Sequence, residues 1–164
     1  MLRATAIVPA GSWQPRDTVT LAFDDRFRRR IRLTGDHGTE FLLDLAEAAV
    51  LRDGDGLKLE DGGVIGVRAA AEDLAEITGE NLSRVAWHIG NRHLPAEIGA
   101  GRILIRDDHV IVDMLIGLGA RVRRVRAPFN PEGGAYGQHN HDPNHPHAHG
   151  HDHDHAHGHH HHHD

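Results

Sequence analysis

Asp73-Leu74-Ala75-Glu76-Ile77-Thr78-Gly79-Glu80-Asn81-Leu82-Ser83-Arg84-Val85-Ala86-Trp87-His88-Ile89-Gly90 is the stretch in which the chain changes its hydrophobic period. Asp73 to Thr78 reads as a strand. Leu82, Val85, Ala86 and Ile89 then recur at i, i+3, i+4 and i+7, which lines one face of an α-helix, and Gly90 predicts its end. Toward the C-terminus the pattern repeats. A short strand near Leu94 to Ile98 and another at Arg102 to Arg106 precede a second helix, opened by Asp107 or Asp108, whose carboxylates can accept from unpaired helical N–H groups. That helix turns Ile111, Met114, Leu115 and Leu118 inward and stops at Gly119, where a left-handed residue is favoured. Arg121 to Ala127 is the last strand. The order strand, helix, strand, strand, helix, strand is the ferredoxin-like βαββαβ pattern, assigned to residues 71–137.

Toward the N-terminus, residues 1–70 read as β structure, with strands at Leu2–Val8, Thr18–Phe23, Phe27–Leu33, Glu40–Leu45, Leu57–Glu60 and Val64–Arg68. Asp61-Gly62-Gly63 is a hairpin signal and Asp53-Gly54-Asp55-Gly56 marks another reversal. A small antiparallel sheet is expected. The fold class is therefore α+β: a β-rich N-terminal domain, a ferredoxin-like domain and a third segment, residues 138–164, of different composition. There only Ala148 and Ala156 are apolar. So little apolar surface cannot offset the entropy of ordering, so a disordered tail is expected in the metal-free state.

The chain has 164 residues with 18 histidines and no cysteine, and 14 of those histidines lie in residues 139–164. Of the formal charge of −6, four units belong to the aspartates of that tail, which has no Lys or Arg. The nearly neutral body lacks the basic surplus that drives nucleic-acid binding. Absent cysteine excludes disulfides, thiol catalysis, iron–sulfur clusters and Cys-based zinc sites, so any metal is held by imidazole and oxygen. The apolar run Ala6–Pro9 is too short for a signal-peptide core, and no stretch approaches the ~20 apolar residues that span a bilayer. A cytoplasmic protein without a membrane partner is expected. No H-E-x-x-H, nucleophile elbow or phosphate-cradling glycine loop is present, which argues against an enzyme.

The tail opens with His139 and His141, sets imidazoles at alternate positions, His145, His147, His149, His151, His153, His155, His157 and His159, and ends in His160, His161, His162 and His163. Neutral imidazole binds nickel, copper, zinc and cobalt, and at three or four rings per ion the tail would hold about three to four ions. His159 to His163 alone also fits an affinity tag, but the alternating stretch before it does not. In the body, His88 and His93 would be rotated by about 140° on a continuous helix and would not face one ion within a chain. His37, in Thr34-Gly35-Asp36-His37-Gly38, reads as a loop residue with no assigned role.

The run Arg84-Val85-Ala86-Trp87-His88-Ile89-Gly90-Asn91-Arg92-His93-Leu94-Pro95, then Arg106-Asp107-Asp108-His109-Val110 with Asp113-Met114-Leu115, and the segment PEGGAYG at 131–137, together resemble the UreE family, urease accessory proteins that act as nickel metallochaperones. The resemblance implies a peptide-binding-like N-terminal domain and a metal-binding domain that forms a homodimer. It implies that His93 binds Ni²⁺ at the interface with its symmetry mate, which removes the difficulty of the intrachain pair. His109 is carried over as a secondary ligand; Asp107 stands where some members have a further histidine, and carboxylate suits harder ions. The implied receivers are the urease accessory GTPase, the other urease assembly proteins and the urease apoprotein. Zn²⁺ and Cu²⁺ bind the same ligands, and the Irving–Williams order places Cu²⁺ above Ni²⁺, so nickel rests on the resemblance. The alternative is a His-rich metal storage or detoxification protein without a dedicated partner.

Overall fold

Alternation of side chains across β-strands accounts for most of the core of this computed structural model, which describes residues 1–133. The first sheet takes β1 (Leu2–Val8), β2 (Asp17–Leu21), β3 (Phe27–Thr34), β4 (Glu40–Val50), β5 (Gly56–Leu59) and β6 (Val64–Ala69) in the order β2-β6-β5-β1-β4-β3. In β4 the residues Phe41, Leu43 and Leu45 point to one face and are buried, and they meet Leu57, Leu59 and Ile65 in one cluster. The sheet's two edges are β2 and β3, and β3 carries Arg28, Arg29, Arg30 and Arg32.

The expected all-antiparallel sheet is corrected here: β1 pairs with β4, and β2 with β6, in parallel. Parallel neighbours need a crossover rather than a hairpin. The connection from β1 to β4 passes through β2, a short 3-10 helix at Phe23–Asp25 and β3, which supplies the length.

The second sheet has β7 (Ala71–Thr78), β8 (Glu97–Gly99), β9 (Arg102–Arg106) and β10 (Arg121–Pro128) in the order β10-β7-β9-β8, every pair antiparallel. Helix α1 (Leu82–Asn91) joins β7 to β8, and α2 (His109–Gly117) joins β9 to β10. Asn81 caps α1 through the Arg84 N–H, and Asp108 rather than Asp107 caps α2, accepting from Val110 N–H at 2.9 Å and Ile111 N–H at 3.3 Å. Gly119, at φ 90°, follows α2 in the left-handed backbone that glycine tolerates. Both helices pack on one face of the sheet: Ala75, Ile77, Ile103 and Ile105 meet Val85 and Ile89 of α1 and Val112 and Leu115 of α2.

One residue further along each strand the side chains face the other way. Leu74 and Leu104 cluster there with Phe23, from beside the first sheet, and with Phe129. Phe23 and Phe129 meet edge to face at 5.6 Å, Arg106 lies over the Phe23 ring and pairs with Asp24, and Glu72 accepts from the Phe23 N–H at 3.0 Å. The two sheets thus share a seam of aromatic and charged contacts. The tail at 138–164, expected to be disordered, lies outside the described residues.

Candidate metal centre

The way α1 ends determines where His93 sits. Gly90 does not terminate the helix, as the sequence had suggested; α1 runs to Asn91, with Arg92 as its cap. His93 follows at φ 57°, the only non-glycine residue with positive φ among the described residues. Its N–H donates to the Gly90 carbonyl at 2.9 Å and the Leu94 N–H to the Ile89 carbonyl at 3.4 Å, a paired closure that turns the chain sharply out of the helix. Leu94 joins the cluster around Ile89, as this closure requires. An L-residue in left-handed backbone costs about 1–2 kcal/mol. His93 is exposed there, at a position where glycine would be the unstrained choice.

His93 lies on the wall of a groove of about 350 Å³. Ala86, Ile89 and Gly90 of α1 form one side, residues 94–96 and Ile98 another, Ile103 the floor, and Glu132 and Gly133 close it. The other side chains lining the groove are apolar, and His93 and Glu132 are the two lining residues able to bind a cation. It adjoins the C-terminal end of α1, where the helix dipole favours positive charge. Trp87, 62% exposed, stands on the same helix against the His88 ring, with centroids 5.0 Å apart. His88 is thereby occupied as a packing partner, and its backbone carbonyl accepts from Arg92.

His109 is exposed as the first residue of α2 and does not line this groove. Asp107 and Asp108 border a neighbouring pocket that shares Leu94 and Pro95 as its wall, and the Asp107 carboxylate is paired with Arg124 at 3.2 Å. Among the described residues no three His, Asp or Glu side chains gather around one point. The remaining histidines named from the sequence, His139 to His163, lie outside the described residues.

The structure finds a use for His37. Asp17, 3% exposed, accepts from the His37 N–H and Nδ1–H, at 3.0 and 2.9 Å, and from the Thr18 and Thr39 N–H groups. Burial opposes ionisation, yet the hydrogen bonds from Thr39, His37 and Thr18 prevail and hold the carboxyl well below the usual carboxylate range. Gly35 has no room for a side chain against Asp17. His37 therefore helps fix the β3–β4 loop to β2. Neither Asp17 nor the buried Arg26 lies in a motif, and the partners that hold them in place, His37 and Thr39 for Asp17 and Asn130 for Arg26, are 20 to 104 residues away and leave no local signal.

Comparison with known proteins gives matches across nearly the full length. Residues 4–70 match the family model described as UreE urease accessory protein, N-terminal domain, and residues 72–164 the one for its C-terminal domain. A protein named urease accessory protein UreE from Chelativorans sp. (strain BNC1) is 57% identical over 145 residues, covering 87% of this chain and 91% of its own. One of the same name from Rhodobacter capsulatus is 50% identical over 151 residues, covering 88% and 96% respectively.

Proposed function

Because this chain belongs to the UreE family of urease accessory proteins, we propose that it is a nickel metallochaperone, collecting Ni²⁺ and delivering it for assembly of the urease active site. The family match over both halves of the chain carries this reading. Its receivers are the urease accessory GTPase, the companion assembly proteins and finally the urease apoprotein, and it works in the cytoplasm; no helix among the described residues is long and apolar enough to cross a membrane. We read residues 1–70 as the peptide-binding-like domain, 71–137 as a ferredoxin-like domain and 138–164 as a metal-collecting tail. β6 ends at Ala69 and β7 begins at Ala71, which supports that boundary.

His93 is the principal ligand. A single imidazole is a weak site, and two chains related by a two-fold axis present two of them to one ion. Trp87 and Ile98, 62% and 48% exposed on the helix and strand beside the groove, are the apolar surface such a pairing would cover. Two imidazoles leave positions open, so tail histidines or a receiver's ligands can enter and exchange. Thiolate would retain the ion; this ligand chemistry releases it. His109 is a secondary donor on α2, outside the groove.

Titration with Ni²⁺, read by calorimetry and native mass, tests the two kinds of site. Deleting residues 139–164 should reduce the number of ions and leave one per dimer. His93→Ala in the same deletion should remove that last ion while circular dichroism stays unchanged; retention of it would overturn the assignment.

A further inference from the structure

After β10 the chain is fastened from both sheets. Phe129 is fully buried against Phe23. Arg26, just ahead of β3 in the first sheet, donates from Nη2 to the Phe129 carbonyl and from Nη1 to Asn130 Oδ1 at 3.1 Å. The Asn130 N–H donates to Glu97 Oε1 and the Glu132 N–H to the Ala96 carbonyl, both at 2.8 Å. A side chain at Gly133 would stand 3.4 Å from the Arg52 guanidinium. Residues 129–133 are thus a strap whose far end, Glu132 and Gly133, is the wall of the His93 groove.

Arg26 is 2% exposed and its Nε is buried with no partner among the described residues. Burying a guanidinium with an unmet donor is a poor route to stability, since apolar replacements of buried charges are often neutral or better. Its two Nη bonds go to the strap, so what Arg26 supplies is position. At the other end, the Glu132 carboxylate has no ion-pair partner among the described residues and borders an apolar groove beside a strained histidine.

We propose that Glu132 is an oxygen donor to the ion held at His93, and that Arg26 is the positioning residue that sets it there. The inference rests on His93 as the metal ligand. Ni²⁺ accepts mixed imidazole and carboxylate sets. In a two-fold dimer the pair becomes two nitrogens and two carboxylates, whose negative charge offsets that of the cation while the harder oxygens keep it exchangeable. The N-terminal sheet, through Arg26, then governs how firmly the second sheet holds its cargo.

The test uses the full-length protein loaded with one Ni²⁺ per two chains, followed by release to an excess of chelator and by the ligand-field absorption of the bound ion. Wild type should show a slow phase that His93→Ala lacks; identical release by the two would overturn the His93 site itself. Glu132→Gln should speed the slow phase on the order of tenfold and shift the absorption, and Glu132→His should restore slow release with a spectrum richer in nitrogen ligation. If His93→Ala loses the slow phase but Glu132→Gln releases at the wild-type rate with an unchanged spectrum, Glu132 is no ligand. Arg26→Met, which keeps the seam apolar, should shift the spectrum in the same sense as Glu132→Gln. A lowered unfolding midpoint with an unaltered spectrum would reduce Arg26 to a structural role.

Discussion

At the scale of single residues, two positions make opposite demands on the backbone and the solvent. His93 spends conformational energy to stand just past the helix end. Replacing it by glycine or by alanine removes the same imidazole, but only glycine relaxes the left-handed backbone. His93→Gly should therefore be more stable than His93→Ala by about 1 kcal/mol in urea unfolding, with both losing the interfacial ion; equal stability would show that the position is unstrained. Asp17 is the converse, a carboxylate favoured by its surroundings once ionised. Its folded value lies below the unfolded value of about 3.9, so the folded chain binds fewer protons. Its contribution is then fully present above about pH 4 and lost as the pH falls toward the depressed folded value. Unfolding midpoints measured from pH 7 to pH 2.5 should show Asp17→Asn lower than wild type at neutral pH, with the two converging in acid. The sequence singled out His93 through resemblance, but its left-handed backbone was not legible there; the contacts of Asp17 with His37 and Thr39 reach 20 residues and more along the chain.

At the scale of elements, periodicity was most readable where packing is one-sided. The i, i+3, i+4, i+7 stripe located α1, and Val85 and Ile89 are its buried residues. Its C-terminus moved beyond Gly90 because the paired closure recruits Leu94 into the core, a tertiary contact that no propensity encodes. Asp107 and Asp108 were equivalent as candidate caps; the structure selects Asp108 because Asp107 turns to Arg124 and its own N–H bonds the Asp73 carbonyl. Asp108→Ala should accordingly cost about 1 kcal/mol in thermal or urea unfolding, and Asp107→Ala clearly less. Strand direction in the first sheet was not legible, because alternation buries the same face whether a neighbour runs parallel or antiparallel. The strap behaves as an element of its own. Phe129→Ala should destabilise by about 3–5 kcal/mol, and because that ring joins the two sheets, unfolding should lose its single sharp transition.

At the scale of the whole molecule, composition already separated a folded body from a histidine-rich extension, and the order βαββαβ emerged from patterns in residues 73 to 127. What the sequence could not convey is how the halves communicate, since Arg26 and Phe129 are 103 positions apart when they meet. The outer strands β3 and β10 bear on how copies of the chain meet one another. β3 presents Arg28, Arg29, Arg30 and Arg32, and β10 presents Arg121, Arg123, Arg124 and Arg126. An unpaired strand edge is an open template for another chain, and long charged side chains along it, many of them held in ion pairs within the chain, blunt that template. Ladder-to-ladder growth is thereby discouraged at these two edges, and the opposite edges, β2 and β8, offer only 5 and 3 residues to pair with.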